Sequence, residues 1–179
     1  SFMFNAATCQ GLQRAAEMLM DIDKKYARKL EKEAAEFKED IAEAFRMAMA
    51  KSPLAPVGDG SWAPWVGPWT ESAGAQALGI DGAPFYSHGS FLSRDMLGIS
   101  YLVSGEILDA SDPATRLAMK TNQSPMTNQN AAVSQPYYSR HDIFHLKARE
   151  TKPFLKMYYN QMTGLADLET YTFWEHFYE

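Results

Sequence analysis

The chain carries a single cysteine, Cys9, in 179 residues. An internal disulfide is therefore excluded, as is a CxxC redox or zinc site, while the redox compartment stays open. No apolar run approaches the roughly 18 residues that a membrane span needs, so no membrane partner is expected. The opening SFMFNAATCQ lacks the charged and apolar regions of a signal peptide, so export is not visible in this sequence. Positive charge is also in short supply. Seventeen Lys+Arg against 22 Asp+Glu leave a net charge of -5, which gives no global field for phosphate backbones, and nucleic acid is not expected as a partner. No stretch alternates with a convincing period of two, apart from a short strand candidate at residues 170–174. A G-x-S-x-G nucleophile elbow is missing, and Gly58-x-Gly60 follows no strand, so neither a serine hydrolase nor a dinucleotide site is indicated. No cofactor is expected.

What remains is an ordinary globular composition, 46% hydrophobic and 22% charged, in a chain long enough to bury about 70% of its unfolded surface. Residues 1–179 read as one helical domain or a large piece of one. Residues 8–51 contain no proline, and Leu30, Ala34, Phe37, Ile41, Phe45 and Ala48 recur at steps of three and four. That stripe predicts a long amphipathic helix. Leu12, Ala15, Leu19 and Ile22 form a second stripe upstream, and the polar DIDKK at residues 21–25 suits a short connection between antiparallel helices. A helical hairpin is the preferred reading and one continuous helix the alternative. Residues 52–90 change texture, with five prolines and seven glycines, and predict a long loop. Helices are expected within residues 91–121, the second opened by Asp112-Pro113, a capping side chain before proline at the first helical position. Residues 122–140 read as another loop. Residues 141–179 predict a helical turn, a helix starting at Thr151-Lys152-Pro153, and an aromatic end, YTFWEHFYE, that looks cut from a longer chain.

Three local patterns are candidates for chemistry. In GDGSWAPWVGPW at residues 58–69, Trp62, Trp65 and Trp69 stand close to Asp59 and to Glu71. Indole faces beside carboxylates suit a sugar, whose apolar face stacks on a ring while its hydroxyls donate to the acids. The same rings would serve equally as core plugs under a loop. In QPYYSRHDIFH at residues 135–145, Arg140 and His141 are candidate ligand contacts. His141 and His145 have the i,i+4 spacing of a helical metal pair, but no third ligand is evident and structural histidines are the preferred reading. In the third pattern, Glu175 sits between Trp174 and His176, and such aromatic surroundings favour the protonated carboxyl that a general acid requires. Pairing with a nearby arginine is the plainer alternative. Cys9 beside an apolar helix face reads as a small hydrophobe.

Taken in order, AAEMLMDID, EAAEFKEDIAEAFRMAMAKSPLAPVGDGSWAPWVGPW, PYYSRH and ETKPFLKMYYNQMTGLADLETYTFWEH resemble the helical toroid of bacterial six-hairpin glycosidase-like proteins. The resemblance implies an all-α fold of antiparallel helical hairpins, part of an (α/α)6 toroid, whose long aromatic and Pro/Gly-rich loops shape a sugar cleft at one end. It implies a carbohydrate partner and glycoside hydrolysis by two carboxylates. Glu175 matches the family's acid after an aromatic pair, and Trp62, Trp65, Trp69, Asp59, Arg140, His141 and Trp174 line the cleft. An extracytoplasmic location follows from the resemblance alone. Because 179 residues cannot supply twelve helices, the chain corresponds to about half a toroid, and the second carboxylate belongs to the remainder of the parent chain. Two other classes stay open: a non-catalytic glycan-binding or scaffolding module, and an interaction domain that self-associates through apolar helix surface.

Overall fold

A computed structural model of the protein describes residues 1–70, 74, 98–123 and 141–173. It is mostly helical, of the all-α class, with two minimal antiparallel sheets. Helix α1 covers Phe2–Leu19 and α2 Lys24–Lys51. Asp23 caps α2, its Oδ1 accepting from the Tyr26 N–H at 3.0 Å, which satisfies one of the orphan donors of the first turn. The four-residue link returns α2 along α1 as a helical hairpin, the most extensive contact between elements in the described residues.

The α2 stripe is buried as expected. Leu30, Ala34, Ile41, Phe45 and Ala48 are all in the interior, with Phe37 packed against them. On α1 the expected stripe is displaced by about a third of a turn. The buried positions are Phe2, Ala6, Cys9 and Ala16, whereas Ile22 is exposed in the link. Three of those four residues are small, so the face that lets α1 approach α2 closely carries little hydrophobic signal. Cys9 is indeed a small buried group, its thiol directed at the Ala34 carbonyl at 3.5 Å.

Within the segment expected to be loop, β1 (Leu54–Pro56) and β2 (Trp62–Pro64) form an antiparallel hairpin with Ala55 opposite Ala63. Helices α3 (Ile99–Ser104), α4 (Pro113–Gln123), α5 (His141–Lys147) and α6 (Thr151–Leu165) follow. Strand β3 (Ala166–Asp167) pairs with β4 (Thr172–Phe173); β4 falls within the strand candidate at residues 170–174, and β3 lies before it. The six-residue α3 is the hub, touching α1, α4 and α5. Its Ile99, Leu102 and Val103 are fully buried with Phe2, Ile41, Phe45, Met119 and Phe144, and side chains of this kind contribute about 1.5–3 kcal/mol each on burial. At the end of α3, a Cβ on Gly105 would lie 3.2 Å from the Ala6 Cβ. Glycine therefore permits the close approach of α3 to α1. Among the described residues no helix is long and apolar enough to cross a membrane.

Candidate functional site

The hairpin is shaped by its own turn. The Gly60 N–H donates to the Val57 carbonyl at 3.0 Å and the Val57 N–H to the Ser61 carbonyl at 2.9 Å. Gly60 has φ +82°, a left-handed conformation that a side chain disfavours. Asp59 folds over this turn, Oδ1 accepting from the Ser61 hydroxyl at 2.6 Å and its N–H at 2.9 Å.

From α4, Lys120 reaches across to donate to Asp59 Oδ2 at 3.0 Å and to Ser61 Oγ at 3.1 Å. One turn position later, the Thr121 hydroxyl donates to the Pro64 carbonyl at 3.3 Å. Both ends of the hairpin are thus held by one helix. The Ser61 hydroxyl and N–H, with Lys120, keep the Asp59 carboxyl well below the usual carboxylate range. It is an acceptor at any ordinary pH.

The three tryptophans of this segment separate by environment. Trp62, on β2, leaves 60% of its surface in water. Its neighbours Ala63 and Pro64 are buried, so the strand is anchored beneath an outward ring. Trp69 is at the edge of exposure. Trp65 is half-buried, and its indole N–H has no hydrogen-bond partner among the described residues. Val66, Gly67 and Pro68 between them are interior, and the Pro68 carbonyl accepts from the Phe2 N–H at 2.9 Å.

The same face of α4 carries a second polar system, one turn before Lys120. Capped by Asp112, whose Oδ2 accepts from the Thr115 N–H at 2.8 Å, α4 directs Arg116 toward Glu150 in the α5–α6 link. Arg116 Nη2 donates to Glu150 Oε1, and His145 Nδ1 donates to Oε2 at 2.8 Å. The carboxylate accepts only, so the proton of this bond sits on the ring. Burial raises the Glu150 carboxyl, but the bonds from His145 and Arg116, with their charges, outweigh it and the net direction is downward. His141, one turn before His145, is wholly buried at the start of α5. Desolvation, with a smaller contribution from His145, pushes it down to about 3, so it is neutral in the folded protein.

Between α4 and α5 opens a cleft of about 370 Å³, lined by Pro113, Arg116, Leu117, Lys120, Gln123 and Phe144. Lys120 borders both the cleft and the hairpin.

Of the expected site residues, Asp59 and Trp62 share the hairpin, and Trp65 and Trp69 lie in the stretch that follows it, Trp65 half-buried and Trp69 at the edge of exposure. His141 is in the interior rather than at a surface. Arg140, Trp174 and Glu175, with Glu71, lie outside the described residues. No group of three or more potential metal ligands occurs among the described residues. Lys120, Ser61, Arg116 and Glu150 were not singled out by sequence reasoning. The signal available for the two cations was their i,i+4 spacing on α4, which solvated helix faces share. Comparison of the chain with protein-family models, with curated proteins and with solved structures gives no match.

Proposed function

We propose that the β1–β2 hairpin is a saccharide-binding surface, in a chain that forms part of an (α/α)6-type, glycoside hydrolase-like toroid. The supporting observation is the Trp62 indole, 60% exposed on a hairpin whose tip is cross-tied by Asp59, Ser61 and Lys120. A large apolar ring held mostly in water by a cross-tied frame matches the apolar face of a pyranose. The ionised Asp59 offers an acceptor, and the third N–H of Lys120 offers a donor, for hydroxyls at the ring edge. The α1–α2 hairpin and the tightly linked α5 and α6 are the kind of repeating unit from which such a toroid is built. Asp59 is held too acidic to protonate a leaving oxygen. Hydrolysis in this reading falls to Glu175 as general acid, with a second carboxylate across the scissile bond.

Titration with a panel of neutral oligosaccharides, followed by intrinsic fluorescence, tests the binding surface. A saturable change is expected, and Trp62→Ala should weaken it by about 1–3 kcal/mol, the range of other aromatic stacking platforms, with little change in melting temperature. A panel that leaves the fluorescence unmoved sinks the proposal. Glu175→Gln in the parent protein should abolish glycoside turnover while binding survives; turnover at the wild-type rate would reduce the function to binding alone.

A further inference from the structure

The cleft between α4 and α5 has a composition of its own. On α4, residues 113, 116, 120 and 123 are spaced three, four and three apart and so form one stripe of the helix. The stripe presents Pro113, then the two cations, then the Gln123 amide, with Leu117 beside it and Phe144 of α5 opposite. Its inner wall is apolar, and its polar groups are donors from Arg116, Lys120 and the Gln123 amide. No carboxylate lines it among the described residues. The two acids nearest in the network stand outside, and each takes only part of its cation. Glu150 engages Arg116 through Nη2. The guanidinium has no other partner among the described residues, and because Nη2 carries two hydrogens, its second one remains to form a fork with a neighbouring donor, Nε or Nη1. Lys120 spends two of its three N–H donors on Asp59 and Ser61.

We infer that this cleft binds a small organic carboxylate: a planar anion received by the Arg116 fork and Lys120, with an apolar body against Leu117 and Phe144. A guanidinium fork matches the two oxygens of a carboxylate in one plane, which favours that anion over a spherical one. The volume is at the lower end of ligand clefts and excludes a large polymer. The inference shares Lys120 with the saccharide reading but not its platform, the Trp62 ring, and Trp62→Ala, which should weaken glycan binding, should leave benzoate binding in place.

The test uses the full chain and three probes: benzoate, its uncharged isostere benzamide, and acetate, which has the charge without the body. Saturation-transfer and chemical-shift titrations should give benzoate an affinity at least about tenfold above both others, equivalent to about 1.4 kcal/mol, and weakened by salt. Arg116→Gln should lose about tenfold, and Arg116→Lys, which keeps charge but not the fork, should fall between. Because Arg116 also braces Glu150, Leu117→Asp supplies a second variant. Leu117 is 40% exposed, so the change tests the cleft's charge without opening the core, and benzoate binding should vanish. Equal affinity for benzoate and benzamide, absence of saturable benzoate binding, or wild-type binding by a folded Leu117→Asp protein would each overturn the inference.

Discussion

Two histidines one helical turn apart look alike in sequence, yet their surroundings give them different work. His145 has a carboxylate at 2.8 Å, so its ring orients Glu150 and through it Arg116. His141 is enclosed, and the cost of charging it in the interior holds it neutral down to about pH 3. In the unfolded chain the same ring titrates near its ordinary value of about 6.5. Between those values the unfolded state binds the extra proton, so stability rises with pH and falls as the solution is acidified from about 6.5 toward 3. At pH 5 the loss from this one group is about 2 kcal/mol. Urea melts of wild type and His141→Gln at pH 7.5 and pH 5 check this: the wild type should lose about that amount and the variant distinctly less. Identical losses would remove His141 as the source. The Glu150 contribution has its own window, present above the ordinary carboxyl range and lost only as pH falls through its lowered folded value. The sequence placed both histidines on one helix face but could not show that both are buried or that His145 meets a carboxylate, because that depends on what packs on α5 and on where the α5–α6 link places Glu150.

At the scale of elements, legibility followed side-chain size. The α2 stripe was readable because Leu30, Ile41 and Phe45 carry strong apolar signal against a charged background. The α1 face was misread because Ala6, Cys9 and Ala16 do not, while the large Leu19 and Ile22 that suggested a stripe lie at the helix end and in the link. The sequence of the β1–β2 hairpin predicts loop because its strands are three residues long and end in Pro56 and Pro64, residues that demote strand patterns. Its Asp59-Gly60 turn was the available signal. The aromatic half of the candidate site was therefore visible as composition. Its framing was not, because Lys120 meets Asp59 from 61 positions away. Gly60 tests whether the frame matters. No atom lies within 4 Å of a Cβ built there, so the penalty for alanine is conformational, φ being +82°, and should be about 1–2 kcal/mol. Gly60→Ala is expected to shift the turn and its Asp59–Ser61 bonds, weakening glycan binding several-fold although Trp62 is intact. Unchanged binding in a protein destabilised by that amount would show that the ring alone suffices.

Across the whole molecule, one aromatic contact joins the parts that the sequence keeps separate. Phe45 of α2 meets Phe2 of α1 edge to face, with ring centroids 5.7 Å apart and planes inclined at 74°. The same Phe2 donates its N–H to the Pro68 carbonyl, and a Cβ on Gly98 would lie 3.4 Å from the Pro68 Cα. The chain of contacts thus runs from α2 through α1 and the tryptophan segment to the start of α3. Truncating Phe45 opens a cavity at the centre of that chain, and Phe45→Ala should cost about 3–5 kcal/mol. Against a total of about 5–15 kcal/mol for a domain, that approaches the whole stability. By contrast Tyr159, on the exposed face of α6 and 59% in solvent, should tolerate serine within about 0.5 kcal/mol. If Phe2 and Phe45 act as a pair, the double variant Phe2→Ala, Phe45→Ala should lose less than the sum of the single losses, by about 0.5–1.5 kcal/mol. Chemical denaturation followed at once by helix signal and by tryptophan fluorescence makes the measurement. Coincident transitions displaced together in Phe45→Ala would show that the helical hairpin and the tryptophan segment unfold as one unit. A Phe45→Ala protein that lost helix signal while its tryptophan transition stayed in place would show instead that the segment carrying Trp62 draws its rigidity from α4 alone, through Lys120 and Thr121.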